Sequence, residues 1–91
     1  MCQGAGMALE IVCKRSAFKH GAKEADIFWA FNTAKYDRLV EGFENKYLLL
    51  GFNTHGNLLE VMYNDLGEDK VSVFHAMPCR NALRSLLERE R

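Results

Sequence analysis

A chain of 91 residues is expected to form one small domain with a single modest core. With 12 Lys and Arg against 12 Asp and Glu, the chain lacks the basic excess that supports strong nonspecific binding to nucleic acid. No apolar run approaches the roughly 20 residues that span a bilayer, the N-terminus has no signal-peptide pattern, and the separated cysteines are typical of free thiols in a reducing cytoplasm.

The N-terminal segment changes character near residue 8. Residues 1–7, "MCQGAGM", are predicted to be a flexible tail. "LEIVC" at 9–13 predicts a short strand. Residues 8–91 contain no repeat, linker or low-complexity tract, so we expect them to form a single domain.

Two helical pieces are predicted next. Residues 15–20 indicate a helical turn that Gly21 closes, since glycine readily adopts the left-handed conformation past a helix end. A second helix is predicted over about 23–32, with acidic residues in its first turn, where the helix dipole favours them. Its apolar stripe is expected to be Ile27, Phe28 and Phe31.

The middle of the chain is predicted to be a β-hairpin. The apolar stretches "KYLLLGF" and "LLEVMY" flank "NTHGN", and a two-residue turn at His55-Gly56 would place Leu50 opposite Val61. Because side chains alternate along a strand, this register gathers six apolar side chains on one core-facing side. The other side is mixed and is expected to be open in part; it carries Tyr47, Leu49, Gly51, Glu60, Met62 and Asn64.

The C-terminal part predicts one more strand and a helix. "KVSVFHA" is a clear strand, and "YDRLVEG" ahead of the hairpin is a weaker candidate for an edge strand. Pro78 suits a first helical turn, so a helix is predicted over 79–90, with the buried stripe Cys79, Leu83, Leu86 and Leu87. This order predicts an α+β domain with N-terminal helices, a three- to four-stranded antiparallel sheet and a C-terminal helix packed on the sheet, all helices lying on one face.

Basic residues concentrate at both ends of the predicted domain. Residues 14–23 carry four Lys or Arg and one His without an acid, and the last twelve residues carry four Arg against two Glu. If the two ends meet in the fold, they form one local positive surface. Lys14, Arg15 and Arg84 are the candidates there for holding phosphate groups.

The order of four sequence features resembles the BrnT family of bacterial toxins, small ribonucleases of type II toxin–antitoxin systems. The features are the triplet Lys19-His20-Gly21 closing a first helix, the helix "KEADIFWAF", the strand "GNLLEVMY" after a glycine-containing turn, and the C-terminal "VSVFHAMPCRNALRSLLERER". The resemblance covers residues 14–90. It implies a fold like that of the RelE ribonucleases, RNA cleavage and neutralisation by a cognate antitoxin protein.

Three features depart from the family pattern. Lys23 stands where the family often has Ser or Thr, and Met77 and Pro78 stand where it usually has one or two arginines, so that the arginine comes only at Arg80. The chain is also neutral, whereas the family is often basic. A non-catalytic protein-interaction module of the same fold is therefore a second interpretation.

RNA cleavage by attack of the 2′-hydroxyl needs a base, an acid and cations that stabilise the phosphorane. The resemblance implies that Lys19 and His20 take part, with His20 as the base, because imidazole titrates near neutral pH, and with Lys19 on the phosphate. Arg80, in the first turn of the last helix, is the candidate phosphate clamp, since the free N–H groups of that turn also attract anions. The alternative for each residue is a solvated charge at a helix end.

His75 and Glu60 are further possible site residues. On an alternating strand His75 shares a face with Val71 and Val73, so a buried, hydrogen-bonded histidine competes with a catalytic one. Glu60 is a candidate base if the mixed face is active, and otherwise a solvated strand residue. A thiol nucleophile at Cys79 is a remote third alternative, because this cysteine also belongs to the leucine stripe.

No metal and no cofactor are expected, because the acids are mostly scattered and no ligand cluster is grouped along the chain. RNA and an antitoxin that covers the positive surface are the expected partners, and a membrane is not. Leu49 and Met62, if exposed on the mixed face, would extend the antitoxin interface or support a homodimer.

Overall fold

The computed structural model describes residues 9–89, which form a five-stranded sheet with one α-helix against each face. A short 3-10 helix, Arg15–Phe18, follows the first strand. The strands are β1 (Glu10–Cys13), β2 (Tyr36–Leu39), β3 (Tyr47–Phe52), β4 (Leu58–Gly67) and β5 (Lys70–Pro78), and the α-helices are α1 (Glu24–Asn32) and α2 (Asn81–Arg89).

The strand order is β1-β5-β4-β3-β2, with β1 parallel to β5 and every other pair antiparallel. The predicted α+β class is confirmed, and "LEIVC" and "YDRLVEG" do form strands, one at each edge. The prediction of three or four strands, all antiparallel, is wrong in detail. In sequence, α1 and the β3–β4 hairpin lie between β1 and β5. This long connection allows β1 and β5 to pair in parallel, which a tight turn between two strands does not allow.

The β3–β4 register differs from the predicted one by a single residue. Leu50 pairs with Glu60, and Leu49 pairs with Val61. The turn has three residues rather than two: the Asn53 N–H donates to the Asn57 carbonyl (2.8 Å), and Gly56 has φ +84°. The Asn53 side chain fixes this longer turn by accepting hydrogen bonds from two backbone N–H groups within it. The extra turn residue shifts every β3–β4 pair by one position. Side chains of β3 and β4 that were predicted to share a face therefore lie on opposite faces of the sheet.

One face of the sheet packs against α1. Its core includes Leu49, Val61 and Val73 from the strands, with Ile27 and Ala30 from the helix. Phe28, which was predicted to share this stripe, is exposed instead, and Phe31 is half-buried. The helix approaches so closely that a Cβ at position 51 would lie 2.0 Å from the Ala30 carbonyl oxygen, which explains the glycine in β3.

The opposite face packs against α2, so the prediction that all helices lie on one face is wrong. The predicted leucine stripe of the last helix is confirmed, because Leu83, Leu86 and Leu87 pack against Leu48, Leu50, Leu58 and Cys79. Leu49 is buried under α1, and Met62 packs half-buried against the α2 cluster. The open apolar face that these two residues were expected to offer a partner is therefore absent from the described sheet.

A β-bulge interrupts the pairing of β4 with β5. Tyr63 pairs with Val73, but Met62 pairs with His75, so Phe74 is the extra residue. The bulge turns His75 to the side of the sheet opposite Val73, contrary to simple alternation along the strand. Pro78 still belongs to β5, and α2 begins at Asn81 rather than at residue 79.

The predicted tail at 1–7, the domain boundary at residue 8 and the last predicted helical residue, 90, lie outside the described residues. Within 9–89, no helix is long and apolar enough to cross a membrane.

Candidate functional site: a histidine pair beside a buried carboxylate

A fully buried glutamate lies in the middle of the α2 face. Glu60 has no exposed surface, although it was weighed above as a solvated strand residue. Its carboxylate accepts four hydrogen bonds: from His75 Nε2 at 2.9 Å, and from Arg80 N, Nε and Nη2 at 3.1, 3.1 and 2.7 Å. Within the described residues no buried side-chain polar atom lacks a partner. A buried charge of this kind is tolerated only because it is paired and fully hydrogen-bonded.

Arg80 reaches Glu60 because of how the chain leaves β5. The Cys79 N–H bonds to the Leu58 carbonyl (2.9 Å), and the Cys79 side chain is buried in the α2 cluster. The next residue therefore lies over Glu60, with backbone and side chain both pointing to its carboxylate. Arg80 precedes α2 rather than standing in its first turn, and its carbonyl accepts the N–H of Leu83.

The guanidinium of Arg80 has an inner edge and an outer edge. The inner edge forms the two-pronged contact with Glu60, while 58% of the side chain is exposed. Three of the five guanidinium N–H groups thus remain for solvent or an anion. Neither prediction for Arg80 included this pairing with a buried carboxylate, and the outer edge of the paired guanidinium can still bind phosphate.

His75 is fixed by the same carboxylate. Burial alone raises the pKa of a carboxyl, but the hydrogen bonds from Arg80 and His75 outweigh it, and the pKa of Glu60 lies below its ordinary value. Glu60 is therefore ionised near neutral pH and can only accept, so His75 Nε2 carries a hydrogen. His75 Nδ1 is left as the nitrogen that can exchange a proton, on a side chain that is 22% exposed.

His20 completes the cluster from the N-terminal side. Its ring lies edge-on to the ring of His75, with 5.7 Å between centroids. The 3-10 helix carries it there, since Ser16 Oγ donates to the Phe74 carbonyl (2.7 Å) and anchors the helix beside the bulge. Gly21, at φ +90°, then turns the chain away, in agreement with its predicted role as a terminator.

The structure thus brings together His20, His75, Glu60 and Arg80, which we call the histidine–glutamate cluster. The contacts link the basic N-terminal segment to the start of α2, as the predicted positive surface required. Lys19, next to His20, is exposed. The other predicted phosphate ligands are exposed without a bond to the cluster; they are Lys14 and Arg15, before and within the 3-10 helix, and Arg84, one turn into α2.

Cys79 does not have the environment of a reactive thiol. Burial raises the pKa of Cys79, and the charge of Glu60 raises it further. A thiolate nucleophile would need the opposite shift. Among residues 9–89, no group of three His, Cys, Asp or Glu is arranged to hold a metal ion.

Glu60 and His75 are only weakly indicated as site residues by the sequence. The sequence did carry a signal for Glu60. It is a single acid inside the apolar run "LLEVMY", and such runs are typical of a strand that is covered on both faces of the sheet. The position of His75 depended on the bulge, for which the sequence carries no marker such as a glycine.

The chain is thus a small α+β domain in which a histidine pair, a buried carboxylate and an exposed guanidinium edge meet at one face of the sheet. No protein-family model matches the sequence, and no curated protein matches it. Its structure is similar to that of the ribonuclease toxin BrnT of Brucella abortus, with a TM-score of 0.63 over 81% of this chain and 100% of that one, at 18% sequence identity. The resemblance predicted from the sequence is confirmed in the fold.

Proposed function

We propose that this chain is a toxin of a type II toxin–antitoxin system and acts as an endoribonuclease. The observation that carries the proposal is the contact between His20 and His75, with His75 fixed on its other side by the buried pair of Glu60 and Arg80. Two imidazoles and a cation can supply the base, the acid and the positive charge that cleavage by 2′-hydroxyl attack requires. The fold shared with a ribonuclease toxin supports the same assignment.

In the proposed reaction, His20 takes the proton of the 2′-hydroxyl, and the 2′-oxygen attacks phosphorus. His75, which begins the reaction with a hydrogen on each ring nitrogen, gives the proton on Nδ1 to the 5′-oxygen; the bond from phosphorus to that oxygen breaks, and a 2′,3′-cyclic phosphate remains. The outer edge of Arg80, together with Lys19, stabilises the charge of the phosphorane. Glu60 is a positioning residue that fixes the tautomer and the orientation of His75.

No metal is needed in this scheme, because imidazoles carry the protons and cations balance the charge. The test is cleavage of RNA by the purified chain in EDTA, with analysis of the product ends. We expect 2′,3′-cyclic phosphate ends and undiminished cleavage when EDTA is present. Cleavage that EDTA abolishes, or products with 5′-phosphate ends, would contradict the proposed chemistry.

The proposed partner is an antitoxin whose acidic or amphipathic segment covers the positive surface around the histidine–glutamate cluster. Induced expression of the chain in bacteria should arrest growth. Co-expression of a short neighbouring gene should relieve the arrest, and its product should co-purify with the chain. Growth arrest that a variant lacking both histidines reproduces would count against a catalytic toxin.

A second candidate is a non-catalytic protein-interaction module. The observation that favours it is the outer surface of α1, where Phe28 is 43% and Trp29 is 45% exposed. Exposed neighbouring aromatic residues are frequent at protein interfaces. This candidate predicts no RNA cleavage by the purified chain, together with loss of partner binding in Trp29→Ala.

A further inference from the structure

A half-exposed phenylalanine stands on the loop between β2 and β3. Phe43 has 50% of its surface exposed, although the loop that carries it is anchored. The Asn45 side chain makes two hydrogen bonds to the backbone of Asp65, at 2.7 and 3.0 Å. The Phe43 N–H also donates to the Val40 carbonyl (3.1 Å). An aromatic ring held this way is presented in a fixed place at little further cost in conformational entropy.

One face of this ring is covered by a cation. Lys46 Nζ lies 4.2 Å from the centroid of Phe43 and 5.9 Å from the centroid of Phe74. Lys46 therefore lies between the loop and the bulge of β5. Since half of the Phe43 surface remains exposed, a planar group can still stack on the ring beside an ammonium group.

These three side chains lie next to the histidine–glutamate cluster. Phe74 immediately precedes His75 in β5. Lys46 precedes β3, two residues before Leu48. Leu48 pairs with Met62, and Met62 pairs with His75. With strands about 4.8 Å apart and about 3.4 Å per residue, the backbone of Lys46 is roughly 12 Å from that of His75. The neighbouring nucleotide of a strand held at the cluster can reach across this distance.

We propose that Phe43, Lys46 and Phe74 form a subsite for an unpaired nucleotide of RNA that lies next to the two nucleotides joined by the cleaved phosphate. The base stacks on the exposed face of Phe43, and Lys46 holds the adjoining phosphate. Aromatic rings interleaved with basic side chains are the usual means of binding single strands without strict sequence preference. The inference rests on the proposed ribonuclease function for its substrate, and it assigns that substrate an unpaired rather than a double-helical form.

The test measures binding and cleavage separately. Binding uses a labelled single-stranded RNA of several nucleotides with 2′-O-methyl groups, which the proposed chemistry cannot cleave, followed by fluorescence anisotropy. We expect Phe43→Ala to weaken binding about tenfold, on the scale known for one stacked base, and Phe43→Trp to retain it. The matched control is Phe28→Ala, which removes a ring of similar exposure from α1 and should leave RNA binding unchanged.

Cleavage then distinguishes the subsite from the catalytic proposal. Phe43→Ala should lower kcat/KM about tenfold on the longer RNA, mainly through KM, and leave a dinucleotide substrate unaffected. Equal binding by Phe43→Ala and the original chain, or no binding by the original chain, overturns the subsite. If the original chain cleaves no RNA but Phe43→Ala still weakens RNA binding, the subsite is supported and only the ribonuclease proposal is overturned.

Discussion

The two faces of the sheet are built differently. The face under α1 is closely packed around small and apolar side chains, such as Ala30 and Val61, with Gly51 in direct contact with the helix. The face under α2 also has an apolar cluster, to which the leucines of that helix contribute. Beside them it holds a buried carboxylate, with a histidine and an arginine bonded to it.

This difference supports the assignment of stability to the α1 face and of the proposed activity to the α2 face. An apolar side chain at position 60 would avoid the cost of burying a charge, so the network around Glu60 is not explained by stability. A buried titratable group with a shifted pKa, in contact with exposed titratable groups, is a recurring sign of a functional site. The α1 face holds the buried Tyr63, whose hydroxyl donates to the exposed Asp37 at 2.6 Å, but burial and this hydrogen bond raise the pKa of Tyr63. That pair therefore has no group suited to proton transfer near neutral pH, and we assign the packed centre of this face a supporting role.

Removal of either histidine is expected to have the largest effect on activity. His20→Ala and His75→Ala should each lower the rate of RNA cleavage about 100-fold or more, the usual scale for a lost general acid or base. The measurement is single-turnover cleavage of a labelled RNA. His55→Ala is the matched control, because His55 is exposed at the tip of the β3–β4 hairpin, and it should leave the rate unchanged. A cluster histidine variant that cleaves at the original rate would contradict the site.

Replacement of the arginine should affect both activity and stability. Arg80→Ala is expected to cost about 100-fold in rate through the lost cation, and it also leaves Glu60 buried without its main partner. The rate must therefore be measured at a temperature where circular dichroism shows the variant to be folded. Arg84→Ala removes an exposed arginine one turn on, and it should change the rate at most a few-fold. Equal losses in both variants would assign the effect to net charge instead.

Changes on the α1 face are expected to lower stability and to leave activity unchanged. Gly51→Ala would place a Cβ 2.0 Å from the Ala30 carbonyl oxygen, so we expect a loss of about 3 kcal/mol in unfolding free energy. Gly56→Ala meets open space at φ +84° and should cost about 1 kcal/mol. Urea unfolding measures both losses. Folded Gly51→Ala protein should cleave RNA at the original rate, and a lower rate would show that the two faces are coupled.

These contrasts also explain what the sequence could and could not predict. Apolar periodicity identified the strands and α2 because both depend on local spacing. The hairpin register depended on one residue, since Asn53 closes a three-residue turn where His55-Gly56 allowed a shorter one. The parallel pairing of β1 with β5 joins segments far apart in the chain, which local patterns do not encode.

The site was predicted only in part, because some of its residues are brought together by long-range contacts. Lys19, His20 and Arg80 came from a motif resemblance and from basic ends, and the structure brings His20 and Arg80 into one cluster. The members that join them, His75 and Glu60, were only weakly indicated. Their roles arise from a bulge and from a helix covering the second face, which are features of tertiary structure.

The substitution with the smallest expected effect tests whether the charge or the shape of Glu60 stabilises the fold. The Glu60→Gln substitution keeps the volume and removes the charge, so we expect a loss of about 1–3 kcal/mol in unfolding free energy at neutral pH. Because the pKa of Glu60 is lowered in the folded state, the charge stabilises the fold above the ordinary pKa of a glutamate. That contribution is lost as the pH falls through the lower, folded value. The difference between the original chain and Glu60→Gln should therefore shrink below about pH 4.

Urea unfolding at several pH values measures this difference directly. Glu88→Gln removes the same charge from an exposed position in α2 and should show almost no difference at any pH. A gap between the original chain and Glu60→Gln that stays constant down to pH 3 would mean that shape, rather than charge, holds the network together. A gap that closes on acidification, with cleavage also reduced in Glu60→Gln at neutral pH, ties the ionised carboxylate to the positioning of His75.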